Sequence, residues 1–168
     1  MNLIYLHGFQ SGPLSMKGQW LKNHIDQQEN IKIHLPDLNM PPLQVMGYLE
    51  DMIHSLERVA LIGSSLGGFY ATQLVAKLGI PAVLINPAMQ PWQLFKELFG
   101  DGQIPYKVCD TWTLDHAQLN DLEQLAVPFV QDADKIMVLI QQGDEILDYR
   151  VAERYYTHSL LICESNGN

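Results

Sequence analysis

The sequence predicts an α/β fold, with a mainly parallel sheet and helices on both faces. Short apolar runs alternate with stretches whose apolar residues recur every three to four positions, the pattern of strands joined by crossover helices. Glycine-containing segments follow two of the strand-like runs, where loops at the carboxyl edge of such a sheet belong. The 168 residues, 47% apolar and 17% charged, suffice for one domain with its own core and exclude a disordered chain.

Leu3–Leu6 reads as the first strand, closed by the turn segment His7–Pro13. Trp20, Leu21, His24 and Ile25 are spaced for a helix, not a strand. Ile31–Leu35 is the second strand; Pro36 and the Pro41-Pro42 pair then enforce a loop. Val45, Met46, Leu49, Met52, Ile53 and Leu56 repeat helically, and Val59–Ile62 returns to the sheet. A helix from Leu66 to Leu78 is stopped by Gly79 and Pro81, and Ala82–Ile85 is the next strand. The pattern then weakens over residues 86–135, with prolines, two of the three tryptophans and helical pieces near Trp92–Phe99 and His116–Leu125. About fifty residues make a poor independent core. This stretch is therefore expected as an insertion packed over an edge of the sheet, within a single domain spanning residues 1–168. Ile136–Ile140, a short helix Tyr149–Tyr156 and a last strand Leu160–Cys163 complete the reading.

Composition excludes several classes of function. Ten Lys and Arg against nineteen Asp and Glu give a net charge of −9, which repels nucleic acid and anionic lipid surfaces. The longest apolar runs are far too short to span a bilayer. The N-terminus enters a strand without a basic leader, and Cys109 and Cys163 make no disulfide framework, so a cytoplasmic location is expected. No histidine or cysteine pair has metal-ligand spacing, and neither dinucleotide nor P-loop glycine motifs occur, so no metal and no cofactor is expected.

Gly63-Ser64-Ser65-Leu66-Gly67 matches G-x-S-x-G between a strand and a helix. A sharp turn there exposes the central serine at the carboxyl edge, and flanking glycines let the backbones approach. At these Gly and Ser frequencies the pattern arises by chance in about one sequence in thirty of this length, and the strand-turn-helix context makes it rarer still. The glycine spacing centres on Ser65, with Ser64 its neighbour and a packing turn the alternative. Acyl transfer also needs donors for an oxyanion. Leu66 N–H, directly after the nucleophile, and an N–H of the first loop, most naturally that of Phe9 in His7-Gly8-Phe9, would supply them. His7 stands at the catalytic edge, yet buttressing the loop through a side-chain hydrogen bond is the expected role. Gly143-Asp144-Glu145 follows the strand Ile136–Ile140, so Asp144 can serve as the acid that orients a histidine. Asp148 is the alternative, unless it caps the helix that starts near Tyr149. Trp92, Phe95, Phe99 and Trp112 could line an acyl pocket or simply fill the core.

His7-Gly8-Phe9, Gly63 through Thr72, Asn86-Pro87-Ala88, Gly143-Asp144-Glu145 and Leu147-Asp148-Tyr149-Arg150 together resemble the YqiA-type small bacterial esterases, in register over the whole chain. The resemblance implies an abbreviated α/β-hydrolase fold, with Ser65 as nucleophile and Asp144 as acid. It also implies a catalytic histidine after the last strand, followed by a closing helix. The sequence reads Cys163-Glu164-Ser165-Asn166-Gly167-Asn168 at that point, and none of its six histidines stands at the corresponding place. Of these, His24, His34 and His54 read as surface or packing residues, His158 falls at the opposite edge, and His116 lies in the insertion. A shortened end is the expectation. It carries two corollaries: impaired hydrolysis, and an exposed apolar patch formed by Leu160, Ile162, Trp20 and Leu21. The function expected is a serine carboxylic-ester hydrolase acting on a small acyl ester or thioester. The alternative is a non-catalytic binding module that keeps the elbow and has lost the histidine.

Overall fold

The computed structural model describes residues 1–165. Along them run β1 (Asn2–Leu6), α1 (Met16–Ile25), β2 (Lys32–His34), α2 (Pro42–His54), β3 (Val59–Ser64), α3 (Leu66–Leu78) and β4 (Ala82–Ile85). Then follow α4 (Pro91–Phe99), β5 (Tyr106–Cys109), β6 (Trp112–Leu114), α5 (His116–Leu125), β7 (Ile136–Gln141), α6 (Tyr149–Tyr155) and β8 (Leu160–Glu164). The helix ends have local causes. Ser15 accepts the N–H of Gly18 at the head of α1, Asp115 that of Gln118 at the head of α5, and Gly79 at φ +64° stops α3. No helix among the described residues is long and apolar enough to cross a membrane.

Six strands form one sheet in the order β2–β1–β3–β4–β7–β8, and every pairing is parallel. The chain leaves β1 for β2 on one side and returns to β3 on the other. Strand order therefore reverses between β1 and β3, and the loops leaving these two strands open a crevice at the carboxyl edge. The site is built there.

The two faces of the sheet are covered unequally. Leu6, Gly63, Leu84 and Val138 stand side by side across four strands and are buried beneath α3. On the same side α6 joins α3 through the buried pair Thr72 and Tyr156, whose hydroxyls are 2.8 Å apart. The opposite face carries Tyr5, Ile62, Val83, Met137 and Leu160 in one row and Ile85, Leu139 and Ile162 in the next. Here α1 covers Tyr5, approaching so closely that a Cβ on Gly18 would lie 3.2 Å from its ring. Beyond it, Met16, Trp20 and Leu21 of α1 face Ile85, Leu139 and Ile162 across a groove of about 380 Å³. Trp20 and Leu160 remain about 60% exposed and Ile162 44%, so apolar surface lies open beside β8 where the sequence led us to expect it.

Two details depart from the sequence reading. The second strand, expected over Ile31–Leu35, contracts to Lys32–His34, because β2 is an edge strand with only three residues paired to β1. The insertion contains an unexpected antiparallel hairpin, β5–β6, besides the two expected helices. Its α5 packs against α4 and α2, and Trp92, Phe95, Trp112, Leu119 and Leu122 share one buried cluster with the sheet residues. Of the aromatic residues offered as an acyl pocket, Trp92, Phe95 and Trp112 are thus core, because the insertion closes on the sheet. Residues 166–168, where the expected histidine turn would begin, lie outside the described residues.

Candidate active site

Ser65 occupies the single position between the end of β3 and the start of α3, with φ +53° and ψ −116°. A non-glycine residue in such a conformation costs about 1–3 kcal/mol and persists only where its surroundings enforce it. They do so here. Its N–H donates to Ile85 O (3.1 Å), and its C=O accepts from Gly68 N (2.9 Å) and Ala88 N (3.0 Å). Glycine is required on both sides of the turn. A Cβ on Gly63 would stand 2.5 Å from Gly67 O, and one on Gly67 would run into the backbone of Leu6. Ser64, by contrast, belongs to β3 and is 9% exposed.

The loop after β1 lies directly against this serine. A Cβ on Gly8 would be 3.3 Å from Ser65 Cβ and 3.9 Å from its Oγ. The two share a cleft of about 280 Å³ that Tyr5, Ser15 and Lys17 also line. Burial pushes the Tyr5 phenol up, against the opposing effect of hydrogen bonds to Ser15 and Ser64. Leu66 is the first residue of α3, so its N–H has no acceptor within the helix and, with the helix dipole behind it, is available to an anion.

His7 is 3% exposed, and both of its ring nitrogens are engaged. Leu38 N–H can only donate, and it meets Nε2 at 2.9 Å. The ring proton therefore sits on Nδ1, which donates to Gly8 O at 2.8 Å. That carbonyl and the N–H of Phe9 belong to one planar peptide unit and point in opposite directions. By holding the carbonyl, His7 fixes the direction of the Phe9 N–H. A histidine so occupied is a loop buttress and is not free to shuttle protons.

Asp144 stands three residues beyond the end of β7 and is half-buried. Its Oδ1 accepts from Ile146 N (2.9 Å) and Leu147 N (3.0 Å), closing its own turn, and its Oδ2 accepts from Asn86 Nδ2 (3.1 Å). Asp148 is exposed, and its carboxylate accepts the N–H of Arg150 at the head of α6. Its role is the cap. The sequence reading gave Asn86 no task. Here it takes a positive φ of +41°, donates to Asp144, and accepts from Gln141 N at 2.8 Å, tying the ends of β4 and β7 to the Asp144 loop. Asparagine directly after a strand and before a proline was the available signal, since asparagine tolerates the left-handed region.

The remaining histidines lie away from these groups. His24 Nδ1 meets Trp20 O within α1, and His34 pairs with Asn2 Oδ1. His54 ends α2, His116 opens α5, and His158 precedes β8 at the amino edge. None of them lines the Ser65 cleft.

The fold is shared with solved α/β-hydrolase structures. A protein of Agrobacterium vitis S4 superposes with TM-score 0.75 at 17% identity, over 99% of this chain and 79% of that one. Mouse alpha/beta hydrolase domain-containing protein 10 gives 0.73 at 11%, over 99% and 80%. Est1E of Butyrivibrio proteoclasticus, solved with ferulic acid bound, gives 0.70 at 13%, over 97% and 78%. With the elbow, the loop against it and the six-stranded parallel sheet all accounted for, the sequence match over residues 2–168 assigns the chain plainly: it belongs to the uncharacterised protein family UPF0227, the YqiA family.

Proposed function

We propose that the protein is a serine carboxylic-ester hydrolase acting on small acyl esters or thioesters. The observation that carries this reading is Ser65, a non-glycine residue at φ +53° at the head of α3, with Gly8 packed against its side chain. In the proposed reaction Ser65 Oγ attacks the acyl carbonyl carbon while a base takes its proton. The carbonyl oxygen becomes an oxyanion held by the N–H groups of Leu66 and Phe9. Collapse expels the alcohol or thiol, and water then hydrolyses the acyl-Ser65 intermediate. Asp144 is the acid that would orient the base. Since no histidine lines the cleft, residues 1–165 alone are expected to hydrolyse weakly.

A second reading, a binding module without catalysis, is favoured by that same bare cleft. Chromogenic esters of increasing chain length, assayed on this chain and on Ser65→Ala, separate the two. The esterase reading expects turnover above buffer that is lost in Ser65→Ala, and an acyl group found on Ser65 by mass. Equal rates in the two proteins would remove Ser65 from the mechanism.

A further inference from the structure

We infer that Tyr106 is a positioning residue for the oxyanion loop, acting through Gln10 and Phe9, and that the insertion clamps this loop from outside the sheet. The inference rests on the serine-hydrolase reading above. His7 holds the Gly8–Phe9 peptide from the carbonyl side, and Asn39 and Gln19 hold Ser11 O and Pro13 O farther along the loop. Between these anchors, Phe9 and Gln10 are met by residues of the insertion. The Phe9 ring sits among four aromatic rings of the insertion, with centroids at 4.5 Å (Phe95), 5.8 Å (Phe99), 5.9 Å (Trp112) and 6.3 Å (Tyr106). The next residue, Gln10, has φ +56°, a left-handed conformation unfavourable for a branched-free polar chain unless something fixes it. Its Nε2 donates to Tyr106 Oη at 2.6 Å, across 96 positions of sequence. Tyr106 is itself anchored, its ring stacked on Phe99 at 4.2 Å and 18°.

The loop is thus gripped at three consecutive residues: Gly8 by His7, Phe9 by the aromatic rings, and Gln10 by Tyr106. An oxyanion donor works only if its N–H is aimed before the charge develops, because donors that must first reorganise stabilise the transition state less. The tyrosine hydroxyl touches no reacting atom. Its effect should appear in the rate of acylation and not in substrate binding.

The test uses the full chain with p-nitrophenyl acetate, in four variants: Tyr106→Phe, Gln10→Ala, the double substitution and Ser65→Ala. Tyr106→Phe keeps the stacked ring and deletes only the hydrogen bond. Each single variant is expected to lower the acylation rate about fivefold, the size of one ordinary hydrogen bond expressed in the transition state. KM and Tm should stay unchanged, and the double variant should be no slower than either single. Independent of turnover, amide exchange over residues 8–10 should quicken in Tyr106→Phe while that of α3 does not. Loss of rate in Ser65→Ala together with an unchanged rate and unchanged exchange in Tyr106→Phe overturns this inference alone. Multiplying effects in the double variant also overturn it. A Ser65→Ala protein as fast as the parent overturns the underlying reading, and this inference with it.

Discussion

Two buried tyrosines show how one hydroxyl can act in opposite directions. Tyr156 is 1% exposed and its hydroxyl pairs with Thr72, which also donates to Gly68 O within α3. Tyr70 is equally buried, yet its hydroxyl has no partner among the described residues, and burial drives its phenol far above the usual range. An unpaired buried hydroxyl costs about 1–3 kcal/mol, whereas a paired one contributes about 1 kcal/mol. Tyr70→Phe should therefore leave Tm unchanged or raise it, and Tyr156→Phe should lower it; a scan of both proteins decides. Asn86 allows a test with a defined pH dependence. Asn86→Asp preserves shape but sets a carboxylate against Asp144 Oδ2, an acceptor facing an acceptor. The folded pair then holds a proton more tightly than the unfolded chain, so its pKa is raised. With more protons bound in the folded state, stability falls as pH rises through the carboxylate range toward neutrality. The Tm deficit of Asn86→Asp relative to the parent should be small at about pH 4 and larger at pH 7. An equal deficit at both would show that Asn86 does not face the Asp144 carboxylate. Ser65 and Asp144 could be picked out in the sequence because each sits at a fixed step beyond an apolar run. Tyr106 could not, because its partner Gln10 is joined to it only by the closure of the insertion.

At the scale of elements, the strand-to-helix unit β3–α3 was the most legible part of the chain, and its glycines let the backbones approach closely. Its helix begins and ends where the sequence places it, between the Ser65 turn and Gly79, because both punctuating residues act locally. Its close fit leaves no room for a side chain at Gly67, where a Cβ meets the backbone of Leu6 and not a yielding side chain. Gly67→Ala should cost about 3 kcal/mol or more and displace α3 from β1. A Tm close to that of the parent would mean that the elbow relaxes more freely than its contacts imply. The hairpin β5–β6 was not legible. Its strands have four and three residues, and its turn pair Asp110–Thr111 lacks the glycine or asparagine that favours the usual two-residue turns. Packing by α4 and the Phe9 cluster stabilises what the local sequence does not announce. The edge strand β2 shows the converse. Five residues suited to a strand were present, but only three find partners on β1.

For the whole molecule, the unequal covering of the sheet makes a prediction that separates its two faces. Alternate residues of one strand point in opposite directions, so neighbouring positions meet different surroundings. Leu84 is fully buried on the α3 side, whereas Leu160 and Ile162 on the other side stay 60% and 44% exposed. Leu84→Ala should remove about 2–5 kcal/mol, since the transfer free energy of the side chain is lost and a cavity is left behind. Leu160→Lys and Ile162→Lys displace little packed surface, and the long lysine stem can lie along the apolar groove with its charge in water. They should leave Tm within a few degrees of the parent while reducing the binding of an apolar-sensitive dye to the native protein. The groove between α1 and β8, about 380 Å³ and lined mainly by apolar side chains, lies on this less covered face. Added salt should not restore dye binding in the lysine variants, because the effect is removal of apolar area and not screening of the net charge of −9. If instead the lysine variants unfold as readily as Leu84→Ala, both faces carry the core, and the groove is packed more tightly than its exposed residues indicate.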